Sequence, residues 1–388
     1  MSKRKSPLHV EETQTQTQTQ TSPPRLPPPC DINSLNADIY HLLSGYLSRE
    51  QFLSFLLVNR HVHSEYIGYR FLSLNRTYSS KYKYIEEFRE RVMTLIINPS
   101  KQIALNLSDN IFHSLIDTIG LGDVHTLNLS GCRSIVDVSA LRGVHTLDVS
   151  GCYKIKDVSA LRGVHTLNLA GCTKIADVSA LGGAHSLNLH LCHLVTDVSS
   201  LGRVHTLDLS SCWYVTDVSA LTGVHTLDLS GCRNLTDVSA LSGAHTLDLS
   251  GCYSVRDVSA LGAVHTLILA RSNVSDVSAL GGVHTLDVSE CSWIYDISAL
   301  SGVHTLNLSE LYIDDVSALG GVHTLSLCEC EGIVDVSSLG RVHTLDLSNC
   351  RGITDVSSLG GVHTLNLSEC CNVKDVSALS GVHTLTLP

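Results

Sequence analysis

The chain has 388 residues, with 26 Lys and Arg against 37 Asp and Glu, a formal charge of -11. That balance argues against generic nucleic-acid or anionic-membrane binding. No stretch approaches the run of about 18 apolar residues that a membrane span needs. The N-terminal MSKRKSPLHVEETQTQTQTQT has no apolar core of a secretory leader. Fourteen Cys would suggest a disulfide framework in a short secreted chain, but 11 of them fall in one slot of a repeat. Free thiols and a reducing compartment, cytoplasm or nucleus, are therefore expected. Lys3-Arg4-Lys5 is only a weak nuclear signal.

Residues 1–31 read as a disordered tail. The Thr-Gln alternation from Thr13 to Thr21 and the Pro-rich Pro23 to Pro29 offer no periodic apolar face. A plain spacer is the favoured role, ahead of an SH3 or WW ligand.

Residues 32–75 read as a small helical module. Asn36 caps a helix carrying Ile39, Leu42, Leu43, Tyr46 and Leu47 at helical spacing. Ser48-Arg49-Glu50-Gln51 has capping-box form and opens a second helix with Phe52, Leu53, Phe55, Leu56 and Leu57. A third amphipathic stretch follows Val58-Asn59-Arg60-His61 and ends near Phe71-Leu72. Three short helices bury little on their own and need a partner or neighbouring domain to cover them.

The order Leu35, Asp38-Ile39, Leu43, Tyr46-Leu47, Phe52-Leu53, Leu57-Val58-Asn59-Arg60 resembles an F-box, with Asn36 where that family usually has Pro. The resemblance implies docking on the Skp-type adaptor of a cullin–RING ubiquitin ligase. It implies Leu35, Ile39, Leu43, Leu47, Phe52, Leu53, Leu57 and Val58 as the docking face. The alternative is a helical N-terminal cap, because repeat stacks need capped ends.

Residues 76–120 read as a helical linker and cap with degenerate repeats. Ser80 would cap a helix carrying Tyr84, Ile85, Phe88 and Val92. Val92 to Ile97 and Ile103 to Ser108 look like degraded strands of the repeat, and Asn110 would cap a helix through Ile116. All five Phe precede residue 121, so a bulkier core is expected at this join.

From residue 121 to 388 one unit recurs. A His follows Val or Ala and precedes Thr or Ser-Leu at 14 places from His125 to His383, every 20 residues save two steps of 19. Counting Val124 as position 1, Val124, Leu127, Leu129, Cys132 and Ile135 fall at positions 1, 4, 6, 9 and 12. This L-x-x-L-x-L-x-x-C-x-x-I frame resembles a leucine-rich repeat. The resemblance implies a solenoid of about 14 units on one parallel sheet. Strands of roughly Thr126 to Ser130, about 4.8 Å apart, would give a rod on the order of 60 Å.

Asp137-Val138-Ser139-Ala140-Leu141 and its copies form the return side. The Asp accepts backbone N–H bonds and starts a tight turn. So little chain leaves an extended or 3-10 convex side. Gly143 and its equivalents, Gly in 10 of 14 slots, let the backbone turn into the next strand. The two short units lose one residue and the Cys together. The Cys reads as a small buried filler, because it lacks paired C-x-x-C spacing for zinc.

Recurring His, Asp and Ser do not make a catalytic constellation, which needs one asymmetric site; no enzyme activity and no cofactor or metal is expected. The His column at position 2 reads as an exposed polar ladder. Stacked imidazoles about 5 Å apart would lower one another's pKa values. Position 5 holds Asp or Asn in most copies and faces the concave side.

The copies disagree at positions 10, 11 and 13. Tyr153, Trp213, Tyr214, Tyr253, Trp293, Tyr295 and Tyr312 stand there, including both Trp. Such aromatics commonly anchor interfaces, so this edge is expected to bind a target protein; the alternative is drift at exposed loops. With the F-box resemblance, the function expected is a substrate-recognition subunit of a ubiquitin ligase. The alternative is a non-catalytic interaction scaffold without a ubiquitin role. The Thr384-Leu385-Thr386-Leu387-Pro388 strand also predicts end-to-end self-association.

Overall fold

A computed structural model describes residues 71–74, 76–95, 102–108 and 118–387. The chain divides into two compact units, Met1–Gly68 and Tyr69–Pro388. The first lies outside the described residues, and with it the expected tail and the whole F-box-like docking face.

In the second unit, 16 strands form one sheet in strict sequence order. It starts with β1 (Phe71–Leu74) and β2 (Gln102–Asn106), then β3 (Thr126–Asn128) and β4 (Thr146–Asp148), and runs to β16 (Thr384–Thr386). Every pairing is parallel, and identical positions face each other. Leu127 lies opposite Leu147, and Leu105 opposite Leu127. We number the coils from Val124 (coil 1) to Val382 (coil 14).

The three-residue strands understate the ladder. His145 N–H and Thr146 N–H both donate to the His125 carbonyl, at 3.0 and 2.9 Å. Past the strand, Leu129 N–H reaches Asp148 O and Gly131 N–H reaches Ser150 O, each at 2.7 Å. Inter-coil bonding therefore runs from position 2 to position 8.

Each full coil turns inward seven times. Val124, Leu127, Leu129, Cys132, Ile135, Val138 and Leu141 are all buried, and their copies join one continuous core. Burying a Val, Leu or Ile side chain contributes about 1.5–3 kcal/mol. Because each coil covers its neighbour, that gain is shared across the stack.

The return side is 3-10, as the short chain length demands. Ser139–Leu141 forms one such turn, closed by Leu141 N–H to Val138 O at 2.9 Å. Val144 N–H to Leu141 O, 3.0 Å, leads into the next strand. The reason for glycine at Gly143 is close approach. It does not adopt a left-handed φ, and a Cβ there would lie 2.6 Å from the Gly122 carbonyl oxygen. Left-handed backbone occurs instead at position 8, at Gly131, Gly151, Gly171, Gly231 and Gly251.

The join departs from the sequence reading in three places. Phe71-Leu72, expected to end a helix, lie in β1, whose register Leu72 to Ile103 and Leu74 to Leu105 continues the repeat. Val92–Leu95, expected as strand, belong to helix α2 (Glu86–Leu95). The helix expected from Ser80 is two: α1 (Arg76–Tyr84) already contains Ser80, and the break falls at Ile85.

Tyr82 supplies the bulk, fully buried, with Phe88 half-buried beside the core. Ser79 Oγ accepts the Asn106 N–H at 3.0 Å, and Lys83 Nζ donates to Ile119 O at 2.8 Å. These bonds tie α1 to β2 and to the segment just before coil 1. The helix expected after Asn110 lies outside the described residues.

Candidate functional site: the loop edge and the ladders

Four columns recur in every coil or nearly so, and each is committed to structure. The Asp137 carboxylate accepts the Ser139 N–H at 2.8 Å, and its copies do the same from Asp157 to Asp375. That bond lowers the Asp137 pKa below 3.8. The turn is closed by the residue before the N-cap, which suits the i to i+2 reach of Asp.

Position 5 works alike. Asp148 Oδ1 accepts the Ser150 N–H at 2.8 Å, and Asn128 Oδ1 the Ser130 N–H at 2.9 Å. Sequence reasoning saw only a polar face here. The structure shows a second side-chain turn, so these oxygens hold the end of the strand.

The Cys column is a ladder of thiol donors. Cys132 Sγ lies 3.4 Å from Leu107 O, Cys152 Sγ 3.3 Å from Leu129 O and Cys350 Sγ 3.0 Å from Leu327 O. Burial pushes the Cys172 and Cys212 thiols up to about 12, so they stay protonated and unreactive. The 13 described cysteines are all free thiols. In short coils 8 and 10 the slot holds buried Ser272 and Leu311. Ser272 Oγ lies 3.3 Å from Cys291 Sγ and continues the column.

The His column is a stack of rings. His125 and His145 have centroids 4.4 Å apart, and the series continues to His363 and His383 at 4.8 Å. In most coils Nδ1 sits beside the hydroxyl of the Thr that follows, 3.1 Å for His125 and Thr126. Partial desolvation, then the charge of neighbouring imidazoles, hold His165, His225 and His304 below 6.5. Among the described residues, no group of three or more His, Cys, Asp or Glu is placed to hold a metal ion.

The variable residues occupy one edge, where the strands end. Positions 9 and 12 point inward, so a turn between them pushes positions 10 and 11 out, and position 13 follows. All seven predicted aromatics are exposed there, from 40% for Tyr153 to 73% for Tyr312. Trp213 is the best supported. His193 stacks on it at 4.1 Å, and the Arg233 guanidinium lies 5.8 Å over its ring. Trp213 and Tyr214 share coil 5, Tyr253 is in coil 7, Trp293 and Tyr295 in coil 9, and Tyr312 in coil 10. Tyr153, in coil 2, stands apart, three coils or about 15 Å from Trp213.

The edge is braced by residues that sequence reasoning passed over. Asn234 Nδ2 donates to Trp213 O at 2.7 Å, Ser254 Oγ to Arg233 O at 2.6 Å and Asn273 Nδ2 to Tyr253 O at 2.8 Å. Each clamp ties one coil's loop to the next, so Trp213 and Tyr253 stand on fixed backbone. Position 8 was missed as well. In eight coils a non-glycine adopts φ near +60° there, among them Arg271, Glu290, Glu310, Glu329 and Glu369. The signal was the loss of Gly at a slot where five copies keep it.

Charge divides this edge. Between strand and Asp turn, coils 1–8 carry only basic charge: Arg133, Lys154, Lys156, Lys174, Arg233, Arg256 and Arg271. From coil 9 onward stand Glu290, Glu310, Asp314, Glu329, Glu331 and Glu369, against Arg351 and Lys374. The step is marked by an ion pair, Arg271 Nε to Glu290 Oε1 at 2.7 Å.

No helix among the described residues is long and apolar enough to cross a membrane. No family model matches the sequence, and no curated protein matches it. Solved structures do. An internalin, InlF, from Listeria monocytogenes superposes with a TM-score of 0.52 at 19% identity, covering 71% of this chain and 92% of its own. The functional domain of InlJ from Listeria monocytogenes, which includes a cysteine ladder, superposes at 0.50 and 21% identity, covering 72% of this chain and 66% of its own. At such identity the likeness speaks for fold alone. Taken with the 20-residue coil, the single parallel sheet and the inward Leu and Cys columns, it makes this unit a leucine-rich-repeat solenoid.

Proposed function

We propose that the protein is a non-catalytic interaction scaffold whose loop edge binds a protein partner. One observation carries the reading: the exposed aromatics of the coils gather along a single edge, where Trp213 and Tyr253 stand on clamped backbone, while recurring side chains are used up in the ladders. Trp213, Tyr214, Tyr253, Trp293, Tyr295 and Tyr312 form the contact row, and Tyr153 is a separate outpost. Aromatic side chains present large area at low entropic cost, which suits them as anchors.

A finer reading rests on the sequence frame of Leu35 to Arg60. In it the scaffold is the target-binding part of a ubiquitin-ligase receptor in the cytoplasm or nucleus, and the N-terminal module docks on a Skp-type adaptor.

Affinity capture from a eukaryotic lysate tests both readings. The full chain is compared with a Trp213→Ala/Tyr214→Ala/Trp293→Ala/Tyr295→Ala variant and a Leu43→Glu/Leu47→Glu/Leu57→Glu variant. The scaffold reading expects the first variant to lose target proteins while keeping its circular dichroism. The finer reading expects the Skp-type adaptor on the wild type and its loss from the second variant. Unchanged capture by the aromatic variant counts against the edge; absence of the adaptor counts against the ligase role alone.

A further inference from the structure

The charge step on the loop edge has a symmetry of which a single chain uses only the Arg271–Glu290 pair. We infer that the edge is self-complementary, and that a second copy of this chain docks on it antiparallel, about a two-fold axis between coils 8 and 9. The inference rests on the reading of this edge as a protein-binding surface and names its partner.

The two-fold places coil 9 against coil 8, coil 10 against coil 7 and coil 11 against coil 6. Glu310 and Asp314 then face Arg256 of the second copy. Glu329 and Glu331 face its Arg233, all of these being exposed. Coil 12 meets coil 5, which sets Arg351 against the Trp213 and Tyr214 rings, a cation–π pairing. Tyr312 meets Tyr253. Each relation occurs twice, as an isologous interface requires.

A parallel arrangement in the same register would set acid against acid and base against base, so charge selects the antiparallel form. Coils 5 to 12 span about 35 Å at strand spacing. That is the length scale of an interface covering about 800 Å² per partner. The clamps through Asn234, Ser254 and Asn273 hold the loops in place beforehand, which reduces the ordering cost of docking.

The test is sedimentation velocity on the full chain. A dimer is expected at low salt. It should weaken at least about tenfold near 1 M salt, where the Debye length falls to about 3 Å. An Arg233→Glu/Arg256→Glu/Arg271→Glu variant makes the edge acidic throughout its centre. A Glu310→Arg/Asp314→Arg/Glu331→Arg variant makes it basic.

Each alone should sediment as a monomer, and an equimolar mixture should recover the dimer. Circular dichroism checks that both remain folded. A wild-type chain that is monomeric at all concentrations overturns the inference. So does a dimer that both variants form unaided, or a mixture that stays monomeric. If the wild type is monomeric yet its aromatic variant still loses proteins captured from lysate, the scaffold reading survives and only the second copy is withdrawn.

Discussion

Coils 1–8 and coils 9–13 share their core column for column, yet their loop edges have opposite character. In the first set, position 8 is Gly in five coils and every loop charge is basic; in the second, position 8 is never Gly and acids dominate. The buried positions barely change: Leu229 and Leu347, both at position 6, are fully buried in the same continuous core. Close packing penalises any change of volume there. At the edge nothing packs from outside, so charge and shape are free to diverge. The contrast separates what builds the solenoid from what distinguishes one stretch of it from another.

If the core is common to both regions, equal damage should cost the same in each. Leu229→Ala and Leu347→Ala each remove a fully buried side chain. Each should lower the unfolding free energy by about 2–5 kcal/mol in urea titrations. A cost well below that in one region alone would show that its coils repack and that the shared core is only apparent.

A smaller effect separates the two regions. Gly251 has φ +65°, and nothing crowds a Cβ there, so Gly251→Ala isolates the backbone term. It should cost up to about 1.5 kcal/mol, the left-handed strain of about 1–2 kcal/mol less the unfolded-chain entropy of about 0.5–1 kcal/mol that removing Gly relieves. The opposite change, Glu329→Gly, relieves a φ of 59°. Its gain is offset by the entropy of Gly in the unfolded chain, leaving a few tenths of a kcal/mol. Equal and opposite effects would mean that Glu329 is as strained as Ala at position 251.

The smallest effect belongs to a column common to both. His125, His165, His225, His265, His304 and His343 are held below 6.5 by desolvation and neighbouring imidazoles. The unfolded chain then binds more protons in that range. Stability is full above pH 6.5 and falls as pH drops through the folded values. The turn aspartates have the same sign lower down, with loss only below about pH 3.8. Urea midpoints should therefore fall modestly between pH 7 and 5. His165→Gln/His225→Gln/His265→Gln should flatten that slope, and an identical slope in the variant would remove the ladder as its source.

Much of this was legible in the sequence because it was repeated. Fourteen copies fix the period, and the period places Leu127 and Leu129 inward and Asp137 at a turn. The 20-residue length leaves room for no more than a 3-10 return. The join was misread because it occurs once. Val92-Met93-Thr94-Leu95 is a short apolar run, which periodicity cannot assign to helix or strand. Phe71-Leu72, read as the end of a helix, open the alternating Phe71-Leu72-Ser73-Leu74, which fits a strand.

At the edge, the exposed aromatics were read from the variability of positions 10, 11 and 13. The clamps were not, because Asn234 and Ser254 reach carbonyls 21 residues away, a contact that only the stacked coils bring together. Position 8 was overlooked because its side chains matter through φ, which sequence shows only by the absence of Gly.

The sharpest discrimination pits the column every coil shares against the edge where coils differ. Lysate capture is measured for the wild type, for Trp213→Ala/Tyr214→Ala/Trp293→Ala/Tyr295→Ala, and for His225→Gln/His245→Gln/His265→Gln, all checked for native circular dichroism. If recognition lives where the copies disagree, the aromatic variant loses the bound proteins and the His variant keeps them. Loss from the His variant with full retention by the aromatic one would contradict that assignment.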